Sequence, residues 1–250
     1  MHRQRASFSG LDASAPELAK ILTYPRVDES DYSARLGELR GLGVSSIIPG
    51  GDTIVSGMSI AGKGCVGLVV RAKVGKKMCA LKIRRVDANR QSMAGEARLH
   101  KIANDAGVGP RLYDYTQNFM LMEFAEGPSI AEWASCAGKD EAQQTAKSVL
   151  EQCYLLDRAG LDHGQLSRLD RHVIVAKRAT IIDFETASTE RRTANVSAAG
   201  QSLFVAGAVA AMIGRAMGKI DREAAISALR AYKRDQTRKG LKALLDALDL

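Results

Sequence analysis

Three glycines, a lysine, a glutamate and an aspartate stand along this chain in an order suited to phosphate chemistry. Gly62, Gly64 and Gly67 form G-x-G-x-x-G, with Val69 two residues on. The motif lies between two Val- and Ile-rich runs rather than ahead of a helix. A glycine hairpin in that setting lets the backbone approach phosphate oxygens, because no Cβ holds it away. Lys82 follows in "CALKIRR". Strand alternation puts it on the face of Ala80, opposite Leu81 and Ile83. An ammonium there would hold α and β phosphates, and Ala80 is small enough to floor an adenine pocket. Glu96 lies in "NRQSMAGEARLHKI" with Met93 and Ala97 as apolar helical neighbours. Its carboxylate would steer the lysine by an ion pair. Asp183 ends the apolar run "TIID" ahead of Phe184, where a carboxylate would bind a Mg²⁺ ion bridging the phosphates. Each residue alone has an ordinary reading: a plain hairpin, a surface lysine, an exposed glutamate, a strand-end aspartate. Their order together has none.

A second stretch, "LDHGQLSRLDRHVIV", carries the remaining chemistry. His163 and Gly164 open a polar loop. Two residues after the histidine, the phosphoryl-transfer template has an aspartate that accepts the substrate's proton. This chain has Gln165, whose amide takes up no proton at neutral pH. The template then sets a metal-binding side chain five residues further on, which falls at Asp170. The residue directly before the strand "VIV" is instead His172. Carboxylate oxygen suits Mg²⁺ better than neutral imidazole, which favours Asp170 and leaves His172 for a phosphate or the loop backbone. Upstream, the apolar strand "FMLME" runs from Met122 and Glu123 into Phe124, Ala125, Glu126 and Gly127. Such a link suits a hinge whose backbone groups, from Glu123 to Ala125, meet an adenine edge.

These groups need elements to hold them. Residues 1–45 carry two helical patterns, "APELAKIL" and "DESDYSARLGELRGLGV". The period then changes to about three antiparallel strands over 52–86, with a turn at Gly75. A helix is expected from Asn89 to Asp105, ended by Gly107, Gly109 and Pro110. Two strands follow. After Gly127 the pattern turns helical at 129–135 and 140–159. A short hairpin around the polar loop precedes three helices at 195–216, 220–233 and 236–248. The expectation is an α+β chain: a helical extension over 1–45, a β-rich lobe over 46–127 and a mostly helical lobe over 128–250.

The 250 residues suffice for two small lobes, and the composition, 46% hydrophobic and 26% charged, is that of a soluble globular protein. The four cysteines lack C-x-x-C spacing, which points to reduced thiols and a cytoplasmic setting. The basic start has no apolar run after it, and Leu203 to Gly214 is too short to span a bilayer, so it reads as a buried helix and no membrane partner is expected. The net charge of +8 favours an anionic partner.

The stretches "GKGCVGLVV", "ALKIRR", "HGQLSR", "HVIV" and "IIDFE" together resemble the predicted serine/threonine protein kinases of archaea, relatives of the RIO-type and lipopolysaccharide-kinase-like families. The resemblance covers roughly residues 45–200. It implies a protein-kinase-like two-lobe fold with one key helix in the N-lobe, ATP with Mg²⁺ as cofactors, and transfer to a Ser or Thr hydroxyl of a protein substrate. It places phosphate contacts at Gly62, Lys63, Gly64 and Gly67, and the nucleotide pocket at Val69, Ala80, Lys82, Glu96, Met122, Glu123, Phe124 and Ala125. It places the catalytic loop at His163 and Gln165, and metal at Asp183 with Asp170 or His172. Gln165 departs from the acid that many members carry. Glu185 replaces the usual glycine after Asp183-Phe184, and no A-P-E triplet follows. The next helical pattern starts at Asn195, so only a short activation segment fits. The resulting expectation is a slow atypical kinase or ATPase. A nucleotide-binding pseudokinase and a small-molecule phosphotransferase are the alternatives. An RNA or ribosome-associated partner, suggested by the charge and by "ALRAYKRDQTRKGLKAL", is a weaker one.

Overall fold

A computed structural model describes residues 16–218 and 220–250. The chain is α+β and divides into two compact units. One holds residues 16–97 and Arg111–Phe124; the other holds Arg98–Pro110 and Ala125–Leu250. The expected extension over 1–45 lies within the first unit from residue 16 onward; its first fifteen residues are outside those described.

The first unit opens with helices α1 (Pro16–Leu22) and α2 (Glu29–Gly41). Asp28 caps α2 by accepting from the Asp31 amide at 2.9 Å, as a carboxylate at a helix start should. Strand β1 (Val44–Ile48) follows where the sequence pattern showed only glycine-marked helix ends. Then come a small hairpin, β2 (Thr53–Val55) with β3 (Met58–Ile60), the two-residue β4 (Gly62–Lys63), and the long pair β5 (Gly67–Val74) and β6 (Lys77–Arg84). The first turn of α3 (Ala94–Asp105), β7 (Leu112–Tyr115) and β8 (Phe119–Glu123) complete it. The main sheet is antiparallel in the order β1-β5-β6-β8-β7, with β4 alongside β5.

The sheet's two faces differ in character. Leu68, Val70, Ala72, Leu81, Ile83, Phe119 and Leu121 form a core with Leu18, Ile21, Leu22, Leu36 and Leu39 of the first two helices. Buried Arg35 fastens α2 there, donating to the carbonyls of Leu22 at 2.7 Å and Arg84 at 2.6 Å. The opposite face carries a smaller cluster of Ala80, Met93, Ala97, Met120 and Met122.

The expected helix from Asn89 begins only at Ala94. Residues ahead of it are held as loop: Arg84 donates to the Arg90 carbonyl at 3.0 Å, the Met93 amide donates to the Gln117 carbonyl at 3.0 Å, and Ser92 accepts from the Ala94 amide at 3.1 Å.

The second unit takes the rest of α3, then α4 (Ile130–Ala134), α5 (Lys139–Arg158), the single turn α6 (Leu169–His172), and the hairpin β9 (Val173–Val175) with β10 (Ala179–Ile181). Four helices finish it rather than three: α7 (Asn195–Phe204), α8 (Ala208–Met217), α9 (Arg222–Arg234) and α10 (Arg238–Ala247). The expected helix over 195–216, including its apolar run from Leu203, breaks after Phe204. The amides of Val205 and Ala206 both turn back to the Gln201 carbonyl, and Gly207 adopts φ of 100°. A glycine tolerates that conformation, and a continuing helix does not. α5 and α7 pack at the centre of the unit's core with β9, β10, α9 and α10. Among the described residues no single helix is long and apolar enough to cross a membrane. Only α7 and α8 taken together pass that test, and they are bent by 66°.

Candidate functional site

In the first unit, strand register gathers one set of candidate residues. Gly62 lies opposite Val69, Val69 opposite Lys82 and Lys82 opposite Met120; Ala80 lies opposite Met122. Opposed residues share a face, so Lys82, Ala80, Val69 and Met122 stand together on the α3 side. Lys82 is 5% exposed and Glu96 3%. The lysine Nζ donates to the Glu96 Oε1 at 2.6 Å, and an Arg90 guanidinium nitrogen lies 3.6 Å from Oε2. Gly67 is needed for this packing, because a Cβ there would stand 2.8 Å from the Ile83 carbonyl oxygen and 3.3 Å from the Lys82 stem. Gly64 closes the hairpin by donating its amide to the Gly67 carbonyl at 2.8 Å.

Two assigned residues stand elsewhere. Lys63 lies opposite Leu68, on the sheet face away from Lys82, and its Nζ donates to the Tyr24 hydroxyl at 2.6 Å. The Glu123 amide donates to the Arg111 carbonyl at 2.8 Å, which commits that hinge N–H within the sheet. Phe124 packs beside Arg71, whose guanidinium carbon is 5.0 Å from the ring centroid.

In the second unit, His163 and Phe184 anchor the polar loop. The His163 ring is fully buried, and its Nε2–H donates to the Ile182 carbonyl at 3.0 Å. That bond fixes the tautomer. Its centroid lies 5.3 Å from Phe184 and 5.2 Å from His172. The His100 ring lies tilted against Phe184, centroids 5.1 Å apart, and donates to the Pro110 carbonyl at 2.7 Å. Gly109, at φ of 84°, leaves room for that ring: a Cβ would come within 2.8 Å of it. Burial pushes the His163 pKa down to about 4, so the ring is neutral at pH 7.

Asp183 adopts φ of 67°, an uncommon left-handed conformation for a residue other than glycine. Strain of this kind concentrates at functional positions. Burial pushes the His172 pKa down, while Asp183 and, after the cation Arg168, Asp170 act on the same ring, both carboxylates pulling upward. Both acids are thus near His172. Asp170 itself is exposed on α6, 3.9 Å from Arg171. His172 is buried with its ring against His163. Among the described residues no group of three or more His, Cys, Asp and Glu gathers to hold a metal. Mg²⁺ is bound by one or two carboxylates, with phosphate and water filling the rest of its shell. Asp183 and Asp170, two carboxylates acting on one ring, are fewer ligands than a metal cage supplied by the chain alone would need.

Residues that the sequence did not mark hold the loop. Asn195 accepts from the His163 amide at 2.8 Å and donates to the Leu161 carbonyl at 2.8 Å. Asp157 on α5 accepts from the Asn195 side chain and amide at 2.8 and 3.0 Å and from Tyr232 at 3.2 Å. Burial holds its pKa above the ordinary carboxylate value, against those donors. Asp162 accepts from Arg191 at 3.0 Å and from the Ala194 amide at 3.2 Å, so its carboxylate is engaged. Gln165 is half-buried, its carbonyl closing a turn with the Arg168 amide at 3.0 Å. The cysteines are all free, Cys65 and Cys136 exposed and Cys79 and Cys153 buried.

A comparison with protein-family models and with curated proteins finds no match to this chain.

Proposed function

We propose that this chain is an ATP- and Mg²⁺-dependent phosphotransferase with a protein-kinase-like two-lobe fold, acting on a hydroxyl, the serine or threonine of a protein being the substrate class the resemblance implies. The buried Lys82–Glu96 pair carries the reading. Removing two opposite charges from water costs more than their attraction commonly returns, so such a pair is weak support for stability. A pair of this kind beside a glycine hairpin has a reason to exist if the lysine must be aimed at phosphates. The strained Asp183 and the nearby Asp170 would supply Mg²⁺ ligation, and the polar loop that His163 anchors would carry Gln165. When bound, Mg²⁺ would neutralise the charge that builds on the transferring phosphoryl group. Lys82 would hold the α and β phosphates, and Ala80, Val69 and Met122 would line the adenine side.

Turnover in this reading is slow. Gln165 can orient a hydroxyl but not take its proton, and Asp162, the nearest loop carboxylate in sequence, is held by Arg191. That engagement favours the second reading, a nucleotide-binding pseudokinase. Titration calorimetry with Mg·ATP, paired with γ-phosphate release, tests both. The expected outcome is micromolar binding that Lys82→Ala weakens by roughly tenfold or more, the loss of a charge-assisted contact. Wild-type protein that binds no nucleotide would remove both readings. Tight binding with no turnover would select the second.

A further inference from the structure

The hairpin's own lysine points away from the face where phosphates would lie. Lys63 pairs with Leu68, whose side chain is in the core beneath α1 and α2, whereas Gly62 aligns with Val69 and Lys82. On its own face Lys63 meets Tyr24, in the linker between those helices. The ammonium donates to the Tyr24 hydroxyl at 2.6 Å and stands 4.8 Å from the ring centroid. Arg85, just past the end of β6, shares that ring, its guanidinium carbon 5.3 Å from the centroid. The same guanidinium donates to the Gly64 carbonyl at 3.3 Å and to both oxygens of Asp87 at 2.9 and 2.8 Å. Backbone bonds close the arrangement. The Val86 amide donates to the Tyr24 carbonyl at 3.0 Å and the Arg85 amide to the Val66 carbonyl at 2.8 Å. The linker is itself anchored, since Arg35 binds the Leu22 and Arg84 carbonyls.

We propose that Tyr24, Lys63 and Arg85 form a clamp that positions the glycine hairpin, which makes the linker between α1 and α2 part of the nucleotide-binding apparatus. The ligand of the hairpin rests on the phosphotransferase reading above; the clamp itself rests on the contacts within the first unit. A glycine-rich hairpin loses more conformational freedom on ordering than any other. Affinity for a ligand that needs one hairpin conformation scales with the fraction of time the hairpin spends in it. The clamp raises that fraction from the outer face without touching the nucleotide. Lys63 is therefore a positioning residue and not a phosphate ligand.

Two measurements on the full chain test this. Amide hydrogen exchange over residues 62–68, without nucleotide, is expected to quicken by roughly tenfold in Tyr24→Ala and by roughly threefold in Tyr24→Phe and Lys63→Met, with the rest of the sheet unchanged. Binding of Mg·ATP should weaken by the same factors, while adenosine, which has no phosphates to meet the hairpin, binds as before. The Tyr24→Phe, Lys63→Met double variant should be no weaker than Lys63→Met alone, because the bond that Tyr24→Phe removes is already gone. If Lys63→Met weakens Mg·ATP while Tyr24→Phe does not, Lys63 is a phosphate ligand and the clamp is wrong. Unchanged exchange over 62–68 in Tyr24→Ala overturns it as well. Wild-type protein that binds no nucleotide removes the phosphotransferase reading, and the exchange measurement still decides whether the clamp holds the hairpin.

Discussion

At the scale of single residues, the proposed phosphotransfer turns on Gln165. Loose phosphoryl transfer depends on positioning and charge neutralisation more than on proton removal, so an amide in place of an acid slows the reaction without abolishing it. General-base help contributes about 10²–10⁴-fold in other enzymes. Gln165→Asp should therefore raise γ-phosphate transfer or release by roughly hundredfold, the lower end of that range. Binding of Mg·ATP should change little. A stopped assay of phosphate release checks this, and an unchanged or lower rate in Gln165→Asp counts against a phosphotransferase whose only missing part is the acid. Residues whose role follows from local spacing were legible in the sequence: the alternation that places Lys82 beside Ala80, and the helical setting of Glu96. The engagement of Asp162 by Arg191 was not, since it joins residues 29 positions apart with no period linking them. The side of the sheet that Lys63 takes was also hidden, because it depends on the register of a two-residue strand.

At the scale of elements, the loop between α5 and β9 is held by a neutral histidine in a dry site. His163 has an ordinary pKa of 6.5, and burial lowers it to about 4 in the folded chain. Between those values the unfolded chain binds a proton that the folded chain refuses, so stability rises with pH and is lost on acidification. Two and a half units would amount to about 2 kcal/mol lost between pH 7 and pH 5, by the linkage relation. His172, also lowered by burial, acts in the same direction. Asp157, raised by burial from 3.8, acts in the opposite direction. Urea unfolding at pH 7 and pH 5 should show that loss. His163→Leu should be less stable at pH 7, where it removes the hydrogen bond to the Ile182 carbonyl, yet flatter across the two pH values. An equal slope in the variant would place the titration elsewhere. The existence of most elements could be read from period and punctuation, and their ends could not. α3 starts five residues later than its pattern because a hydrogen bond from Arg84 and one to the Gln117 carbonyl hold the chain before it. The break at Gly207 hides in a run whose composition stays apolar on both sides.

At the scale of the whole molecule, the helices before residue 45 belong to the core that carries the proposed lysine. A cut at the sequence-level boundary, leaving residues 46–250, would remove Leu18, Ile21, Leu22, Leu36, Leu39 and Leu42, all buried, from contact with the sheet. Each such side chain contributes about 1.5–3 kcal/mol when buried. Their sum is comparable to the whole stability of an ordinary domain, about 5–15 kcal/mol. The cut also deletes Arg35, which ties α2 to the end of β6, and Glu38, which accepts from the Asn118 amide at 2.9 Å ahead of β8. Leu81 and Ile83 flank Lys82 and face the emptied core, so the lysine strand loses its support directly. The shortened chain is expected to lack a cooperative unfolding transition for its β-rich part and to bind no Mg·ATP. The helical unit has a separate core containing none of the deleted residues, and should retain its far-ultraviolet helical signal. Circular dichroism during urea unfolding, alongside calorimetry with Mg·ATP, checks both halves of that expectation. A shortened chain that unfolds cooperatively as a whole and binds nucleotide as the full chain does would show that these helices cover the sheet without supporting it. The clamp at Tyr24 would fall with that result, because the linker carrying it would be absent and the hairpin unaffected.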